Sequence, residues 1–314
     1  MNTDNMVWVE KYRPSTIDEC ILPDRIKNIA KSSVSKGEMP NLLLCGPAGT
    51  GKTTLARALC NELGYDMLFI NGSDEGRLID TLRTKISQFA STVSFSGSRK
   101  AVIIDEADYL PQETVQPALR SFIEQYAGNC AFIFTCNFPN RIMDAIHSRC
   151  SVIDFTLSKE EKMSVSSLMF KSCVNILSQE GIDFDKKALA KFVMMATPDW
   201  RRMLNDMQSY SSTGKIDSGI LTSRGGIEIE ELIGLLKDKN FREVRTWVAT
   251  SSSLDMTILC RKIYDGMYDY VEKSSIPQLV LDLADYQFKH AFVADKEINI
   301  MAMLTTLMMN AEFK

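Results

Sequence analysis

Residues 46–53 constrain the fold of this chain more than any other segment, because they read GPAGTGKT. This sequence fills every fixed position of the phosphate-binding loop pattern, in which glycines turn backbone N–H groups toward phosphates and Lys52 reaches the β and γ phosphates. An apolar run at 42–45 precedes the loop, and residues 54–63 repeat leucine at one-turn spacing. The pattern predicts a buried strand, a phosphate loop and a helix, and it indicates binding of a nucleoside triphosphate.

Composition excludes several classes of protein. Of 314 residues, 45% are hydrophobic and 24% are charged, which is typical of a globular chain with two or three domains. A formal net charge of −4 argues against coating nucleic acid through general charge, so any DNA contact must come from a local patch. No apolar stretch approaches the roughly 18 residues of a membrane-spanning helix, and the polar start does not resemble a signal peptide. We expect a cytoplasmic protein with no membrane partner.

The cysteine and histidine content argues against several kinds of site. The eight cysteines are dispersed without a Cys-x-x-Cys pair, and His147 and His290 are the two histidines. A zinc ribbon, a redox motif and a histidine-based metal site are therefore disfavoured. We expect reduced thiols, most of them buried.

A second apolar run, at 101–104, is followed by Asp105 and Glu106. In a parallel sheet that carries a phosphate loop, carboxylates at the end of a neighbouring strand lie beside the phosphates. We predict that Asp105 and Thr53 hold Mg²⁺, and that Glu106 orients and deprotonates the attacking water. This pair of acids, a Walker B site, favours hydrolysis over binding alone.

Two further apolar runs adjoin polar residues that have two interpretations each. The run at 131–136 ends at Asn137, which either hydrogen-bonds the γ-phosphate and the lytic water, a role called sensor 1, or starts an ordinary turn. Arg149 precedes the run at 152–155 and is either an arginine finger for a neighbour's ATP or a surface arginine without a catalytic role. The residues alone leave both choices open.

The order of the patterns predicts the layout of the chain. Strand and helix patterns alternate across 41–155, which indicates a parallel sheet with helices on both faces and a nucleotide at its carboxyl edge. Three helical patterns predict a lid, at 160–177, 186–195 and 200–210. A Ser-, Thr- and Gly-rich segment at 211–226 predicts a linker, and five helices are expected from residue 227 onward. The last of them, at 298–308, is strongly apolar, which favours core packing over a partner surface.

Four other segments are more specific, since phosphate loops are widespread. They read WVEKYRP at 8–14, QPALR at 116–120, SRC at 148–150 and PDWRR at 198–202. In this order they resemble motifs of the clamp-loader AAA+ ATPases, which include replication factor C small subunits. A narrower resemblance, to the sliding-clamp-loader large subunits of T-even-like bacteriophages, rests on the runs at 11–23, 71–74, 209–212 and 219–221. One departure is Pro198, where cellular relatives have glycine, and it removes no catalytic group.

The resemblance implies a three-part architecture and a set of ligands. It implies an α/β AAA+ P-loop domain at 1–157, with a parallel sheet and helices on both faces, an α-helical lid at 158–224 and an α-helical collar at 225–314 that holds subunits together. The implied ligands are ATP and Mg²⁺. Thr53 and Asp105 would be the metal ligands.

The resemblance also implies roles for individual residues. The adenine pocket would be lined by Val9, Glu10, Lys11, Tyr12 and Ile21. The phosphates would be wrapped by Gly49, Thr50, Gly51, Lys52, Thr53 and Thr54. The catalytic set would comprise Lys52, Asp105, Glu106, Asn137, Arg149 and Arg201. Without the resemblance, core packing would explain Tyr12 and Ile21, and a solvated helix face would explain Arg201.

DNA contacts are expected on the helix that begins near Gln112. Gln116 and Arg120 are one turn apart, which predicts that both side chains lie on one face. Family members use this helix to couple DNA to the active site, and we take Arg120 and Arg77 as candidate phosphate contacts, against the alternative of solvated arginines. The polar loop at 94–100 is better explained as a connection than as a DNA contact.

The expected function is that of a sliding-clamp-loader ATPase subunit in phage DNA replication, in the host cytoplasm if the chain is phage-encoded. Its partners would be other copies of itself in a ring or spiral, a small accessory subunit, a sliding clamp and primer–template DNA. The phage family implies four copies with one accessory chain, which the sequence itself does not show. Two rivals are a nucleic-acid motor such as a branch-migration helicase, and a non-hydrolysing scaffold subunit. The intact catalytic residues argue against the scaffold.

Overall fold

The structure, a computed structural model, describes residues 6–74, 79–92, 99–212, 214–223, 229–250 and 256–314. The chain divides into two compact units, Met1–Ile220 and Leu221–Lys314. The DNA-contact candidate Arg77 and positions 94–98 of the polar loop lie outside the described residues. Each unit is considered by itself.

The first unit is built on a parallel sheet of five strands in the order β2-β3-β4-β1-β5. The strands are β1 (Leu42–Cys45), β2 (Asp66–Asn71), β3 (Lys100–Asp105), β4 (Cys130–Cys136) and β5 (Ser151–Asp154). The helices before and between them are α1 (Trp8–Lys11), α2 (Asp24–Lys36), α3 (Lys52–Glu62), α4 (Ile79–Ser91), α5 (Val115–Gln125) and α6 (Asp144–His147). This is the α/β fold that the alternating patterns predict.

Side chains of the central strands pack on both faces of the sheet. Leu43 and Phe132 belong to a core formed with α4 and α5, whereas Leu42 and Ile133 belong to a second core formed with α2 and α3. All four side chains are at most 2% exposed. Burial on both faces explains why these strands read as continuous apolar runs.

The sequence patterns missed one strand, β2. It lies at the edge of the sheet and pairs with β3 alone. Met67 and Phe69 on this strand are 40% and 36% exposed, whereas Ile70 is buried. The segment therefore lacks the fully buried run that identified the other strands.

Three helices follow the sheet in the same unit, close to the predicted lid helices. They are α7 (Lys159–Gln179), α8 (Lys186–Ala196) and α9 (Trp200–Ser211). The expectation of a linker over 211–226 is wrong in part, because the two-residue strands β6 (Asp183–Phe184) and β7 (Lys215–Ile216) pair in parallel and α10 spans Gly219–Ser223. Buried Ile216 anchors this region in the lid.

The second unit contains the five helices expected after residue 227, counted over its described residues. They are α11 (Ile229–Lys237), α12 (Phe241–Thr250), α13 (Met256–Tyr270), α14 (Ile276–His290) and α15 (Lys296–Asn310). Met303, Leu304 and Leu307 of α15 are fully buried in the core of this unit, as the apolar pattern indicates. In the described parts of the chain, no helix has the length and apolarity needed to cross a membrane.

Candidate active site

The phosphate loop connects β1 to α3 at the carboxyl edge of the sheet. Gly49 has φ +73°, and a Cβ there would lie 1.9 Å from Oδ1 of Asp199, so the loop requires glycine at this position. Lys52 is 8% exposed, and its ammonium donates to the carbonyls of Gly46 and Pro47 at 2.8 and 2.7 Å. Burial lowers the pKa of Lys52. A buried ammonium that is held by backbone carbonyl oxygens can exchange these oxygens for those of a phosphate.

The predicted metal ligands contact each other directly. Thr53 Oγ1 donates to Asp105 Oδ1 at 2.6 Å. Thr135, at the end of β4, donates to the same carboxylate oxygen at 2.5 Å and accepts from the backbone N–H of Glu106 at 3.1 Å. This hydroxyl and carboxylate are hard oxygen donors, which suit Mg²⁺.

Glu106 follows in an unusual backbone conformation. Its φ of 53° and ψ of 44° are left-handed, which disfavours most residues other than glycine. Gly72 packs against it so closely that a Cβ at this glycine would lie 2.6 Å from the Glu106 carbonyl oxygen. The backbone N–H of Gly72 also donates to the Asp105 carbonyl at 2.7 Å. The end of β2 thus fixes the turn that aims Glu106 into the cavity.

Asn137 lies between the phosphate loop and the acidic pair, because β4 lies between β1 and β3. Its Oδ1 accepts from the Lys52 ammonium at 2.9 Å. Its backbone N–H and that of Phe138 donate to Asp108 Oδ2 at 3.2 and 3.1 Å. The residue begins a turn and its amide also lines the cavity, whereas its contact with the γ-phosphate and the lytic water stays a prediction.

The lid completes the cavity through the start of α9. The backbone N–H of Trp200 donates to the Gly49 carbonyl at 3.0 Å, and Asp199 caps the helix by accepting from Arg202 N–H. Trp200 and Arg201 line the same cavity as the phosphate loop. The full lining is Val9, Arg13, Pro14, Ala48, Gly49, Thr50, Gly51, Lys52, Thr53, Thr54, Asp105, Glu106, Thr135, Cys136, Asn137, Trp200 and Arg201.

The residues predicted for the adenine pocket are not all brought together. Val9 lines the main cavity, and Ile21 lines a smaller apolar cavity that shares Thr50, Gly51, Thr54, Pro14 and Trp200 with it. Glu10, Lys11 and Tyr12 line neither cavity. Lys11 and Tyr12 instead hydrogen-bond Glu180 at the end of α7. These two residues tie the N-terminal segment to the lid.

Arg149 lies outside the cavity that its own chain forms. Its guanidinium pairs with Glu124 at 2.5 Å and donates to the Ala145 carbonyl at 2.7 Å. Glu124 also lies 3.7 Å from Arg120 one turn earlier on α5. The two arginines hold the pKa of Glu124 below its usual value, with Arg149 as the larger influence. We call Arg120, Glu124 and Arg149 the arginine cluster.

Gln116 and Arg120 lie one turn apart on α5 but have opposite environments. The Gln116 side chain is fully buried. Its amide donates to the carbonyls of Leu110 and Arg141 at 3.1 and 2.9 Å and accepts from Met143 N–H at 2.8 Å. Arg120 is 50% exposed. Gln116 therefore joins α5 to the segment before α6, and Arg120 faces solvent.

Comparison with known proteins decides the family. Residues 42–157 match the AAA family, ATPases associated with various cellular activities, and residues 161–222 match the AAA+ ATPase lid domain of sliding-clamp-loader large subunits. The chain is 36% identical to the sliding-clamp-loader large subunit of Enterobacteria phage T4, over 100% of this chain and 99% of the relative. The chain belongs to the clamp-loader family of AAA+ ATPases.

Other clamp-loader relatives agree with this assignment, and solved structures agree with the fold. The large subunit from Escherichia phage RB69 is 36% identical over 98% of this chain and 97% of the relative. The replication factor C small subunit of Staphylothermus marinus is 33% identical over 96% of this chain and 94% of the relative. A structure of the Thermotoga maritima RuvB Holliday junction branch migration motor matches with a TM-score of 0.51 and 18% identity, over 72% of this chain and 79% of that one. The RuvB match supports the AAA+ fold alone.

The residues at this site to which sequence reasoning gave no role include Arg13, Thr135 and Trp200, which line the cavity, and Asp108, which accepts from the backbone N–H of Asn137. Asp108 lies two residues after Glu106, and Trp200 directly precedes Arg201, so both are close to residues that the sequence analysis named. Thr135 is the sixth residue of an apolar strand pattern and has no local signal, since its partner Asp105 is on another strand. Arg13 lies beside the predicted base-binding segment and lines the cavity.

Proposed function

We propose that this chain is an ATPase subunit of a sliding-clamp loader that acts during phage DNA replication in the host cytoplasm. ATP binding would organise several copies into a spiral that opens the clamp, and DNA-triggered hydrolysis would release the clamp closed on primer–template DNA. One observation supports this most strongly: the cavity contains every predicted catalytic side chain except Arg149. A site that lacks only its arginine finger is suited to completion by a neighbouring copy.

The phosphate loop would bind the triphosphate, which makes ATP the proposed ligand. Lys52 would leave the carbonyls of Gly46 and Pro47 to bind the β and γ phosphates, and the N-terminus of α3 would favour the negative charge. Thr53 and Asp105 would hold Mg²⁺, which supplies charge stabilisation at the phosphate oxygens when bound.

Three side chains would then act at the γ-phosphate. Glu106 would orient the lytic water and accept its proton. Asn137, already hydrogen-bonded to Lys52, would orient the same water and the γ-phosphate. Arg201 would reach the γ-phosphate from the lid and stabilise the charge that develops during hydrolysis.

Arg149 would act on the ATP of the adjacent copy in the ring or spiral. Its position outside its own cavity supports this role, and its acidic partner Glu124 is exposed, so that Arg149 can exchange this ion pair for a phosphate. The proposed assembly contains several copies of this chain, four by resemblance to the phage family, and a small accessory subunit. We retain the division into nucleotide-binding domain, lid and collar, with the collar holding the subunits together.

The exposed face of α5 is the proposed route for the DNA signal. Arg120 would contact a phosphate of the duplex backbone, which positions DNA without reading its sequence. The buried amide of Gln116, near the start of the same helix, would carry a movement of α5 to the segment that leads to Arg149.

The decisive experiment measures steady-state ATP hydrolysis by this chain assembled with its accessory subunit, with clamp alone, primed DNA alone and both together. We expect strong joint stimulation that is lost in Arg149→Ala and retained in Arg261→Ala, a change at an exposed arginine of the second unit. Equal stimulation by DNA without clamp, together with indifference to Arg149, would favour a nucleic-acid motor instead.

A further inference from the structure

Asp108 is an acidic residue beside the cavity that has no part in the steps proposed above. It lies in a short 3₁₀ turn, Ala107–Tyr109, directly after Glu106, and it is 5% exposed. Its Oδ2 accepts from the backbone N–H groups of Asn137 and Phe138 at 3.2 and 3.1 Å. Its Oδ1 is buried without a hydrogen-bond partner in the part of the chain that the structure describes. A buried carboxylate in this state costs stability, which argues that the acid has a function.

The backbone pairing between β3 and β4 ends before the catalytic residues are reached. The last pair in this register is Ile104 with Phe134. Glu106 and Asn137 lie in the turns that follow the two strands. Ladder hydrogen bonds fix neighbouring strands relative to each other, and beyond the last pair side chains must take over this task. The distance between Glu106 and Asn137 therefore depends on the side chains that bridge the two turns.

Thr135 and Asp108 are two such bridges. Thr135 Oγ1 accepts from the backbone N–H of Glu106 at 3.1 Å, and it also donates to a proposed metal ligand. Asp108 lies in the turn of Glu106, which is closed by a hydrogen bond from Tyr109 N–H to the Glu106 carbonyl at 3.0 Å. Its carboxylate accepts from the turn that begins at Asn137. Asp108 thus joins the proposed general base to the proposed sensor 1 residue without contacting either side chain.

We propose that Asp108 is a positioning residue for hydrolysis, which holds Asn137 at a fixed distance from Glu106 so that both side chains contact one water molecule. The inference rests on the proposed hydrolysis of ATP and adds to it the residue that connects the two groups. Asp108 does not line the cavity, so it would act through Asn137 and would not touch the nucleotide. Because reacting groups must be closely aligned, a displacement of about 1 Å can cost roughly 100-fold in rate.

The kinetic signature of this role is a loss of kcat without a loss of ATP binding. In the complete assembly with clamp and primed DNA, Asp108→Ala should lower kcat by roughly 10- to 100-fold. The Kd for Mg-ATPγS should stay within about threefold of wild type, because Lys52 and Thr53 keep their contacts. Asp108→Asn keeps one oxygen for the same two N–H groups and should recover most of the lost rate.

The matched control is Asp185→Ala. Asp185 also accepts from two backbone N–H groups, those of Lys187 and Ala188 at the start of α8, at 2.7 and 3.4 Å. Its loss removes the same kind of hydrogen bond at a place remote from Glu106 and should leave kcat close to the wild-type value.

A double-mutant cycle separates positioning from a general loss of structure. If Asp108 acts through Asn137, the double variant Asp108→Ala/Asn137→Ala should have the kcat of Asn137→Ala alone. Arg201 would reach the γ-phosphate from the lid, independently of Asn137. The losses in Asp108→Ala and Arg201→Ala should therefore multiply in the corresponding double variant.

Each outcome decides for or against this role. An unchanged kcat in Asp108→Ala, an equal loss of ATP affinity, or losses that multiply with Asn137→Ala would overturn the inference and leave the proposed ATPase activity intact. Asp108→Leu, which fills the buried position with an apolar side chain, replaces Asp108→Ala if that variant does not fold. Failure of both to fold would assign Asp108 to stability and overturn the positioning role. Absence of hydrolysis in the wild-type assembly would overturn the proposed function itself.

Discussion

The nucleotide cavity and the arginine cluster differ in how their polar side chains are held. In the cavity, Lys52 and Asp105 each take part in two or more short hydrogen bonds, and Lys52 is buried. In the cluster, Arg120 and Arg149 share one carboxylate, Glu124, which is 54% exposed. Buried polar networks are costly to leave unsatisfied, whereas exposed ion pairs contribute about 0 to 1 kcal/mol. The cavity thus holds its side chains in a buried network, whereas the two arginines of the cluster are joined only through one exposed carboxylate.

The largest expected effect tests whether the cluster completes a neighbour's cavity. Assemblies made only of Lys52→Ala or only of Arg149→Ala chains should each lose at least about 10³-fold in hydrolysis, a loss typical of a missing arginine finger. Mixing the two variants should restore part of the activity, because some intact cavities then face an intact Arg149. The measurement is steady-state ATP turnover, with assembly verified by light scattering.

The matched control for mixing is the double variant Lys52→Ala/Arg149→Ala. Mixed with Arg149→Ala chains, it supplies no intact finger and should restore nothing. Recovery in this control, or no recovery in the mixture of single variants despite assembly, would contradict a finger supplied between copies.

A second prediction concerns the proposed general base inside the cavity. Glu106→Gln should lower turnover by roughly 10²- to 10⁴-fold, the usual contribution of a general base, while ATP binding stays near the wild-type level. The measurement pairs single-turnover hydrolysis with the Kd for ATP. Glu113→Gln changes an exposed acid that does not line the cavity and should leave turnover unchanged. A Glu106→Gln protein that hydrolyses ATP normally would remove Glu106 from the mechanism.

A smaller effect is expected at the solvent-facing end of the cluster. Arg120→Ala should weaken binding of primed DNA a few-fold and reduce the slope of log affinity against log salt by about 1, because one phosphate contact is lost. Arg261→Ala is the matched control, since Arg261 is also exposed and pairs with an acid one turn away. An unchanged salt slope in Arg120→Ala would exclude this residue from the DNA contact.

The smallest effect is expected for Glu124→Gln, the residue that joins the two arginines. Because Glu124 is exposed, we expect the free energy of unfolding to stay close to that of the wild-type protein. Urea denaturation measures this value, and turnover of the assembly should stay within a few-fold of wild type. Loss of turnover as large as in Arg149→Ala would show that Glu124 positions the finger, and the contrast between cavity and cluster would then fail.

Local sequence patterns predicted those parts of the chain whose structure depends on residues nearby in the sequence. The phosphate loop, the acidic pair and four strands follow from runs and spacings of a few residues, and all were predicted. The edge strand β2 escaped because its exposed side chains interrupt the apolar run. The strand β7 escaped because it is two residues long and pairs with Asp183 and Phe184, about 30 residues earlier.

The site was predictable where a motif names the residue and unpredictable where two distant segments meet. Thr135 reaches Asp105 only because β3 and β4 are neighbours in the sheet. The burial of Gln116 did not follow from the sequence, because helical spacing relates side chains to one another without fixing which side is buried. Trp200 became visible only when the lid and the phosphate loop were seen to share two cavities.

The hydrogen bond from the backbone N–H of Trp200 to the Gly49 carbonyl joins the first residue of α9 to the phosphate loop. The twelve residues of this helix span about 18 Å, so a tilt of roughly 10° at that end moves the other end by about 3 Å. Near the far end, Gln208 accepts from the backbone N–H of Trp8 at 2.9 Å. A tilt of α9 that begins at the phosphate loop would therefore also displace the hydrogen bond to the N-terminal segment.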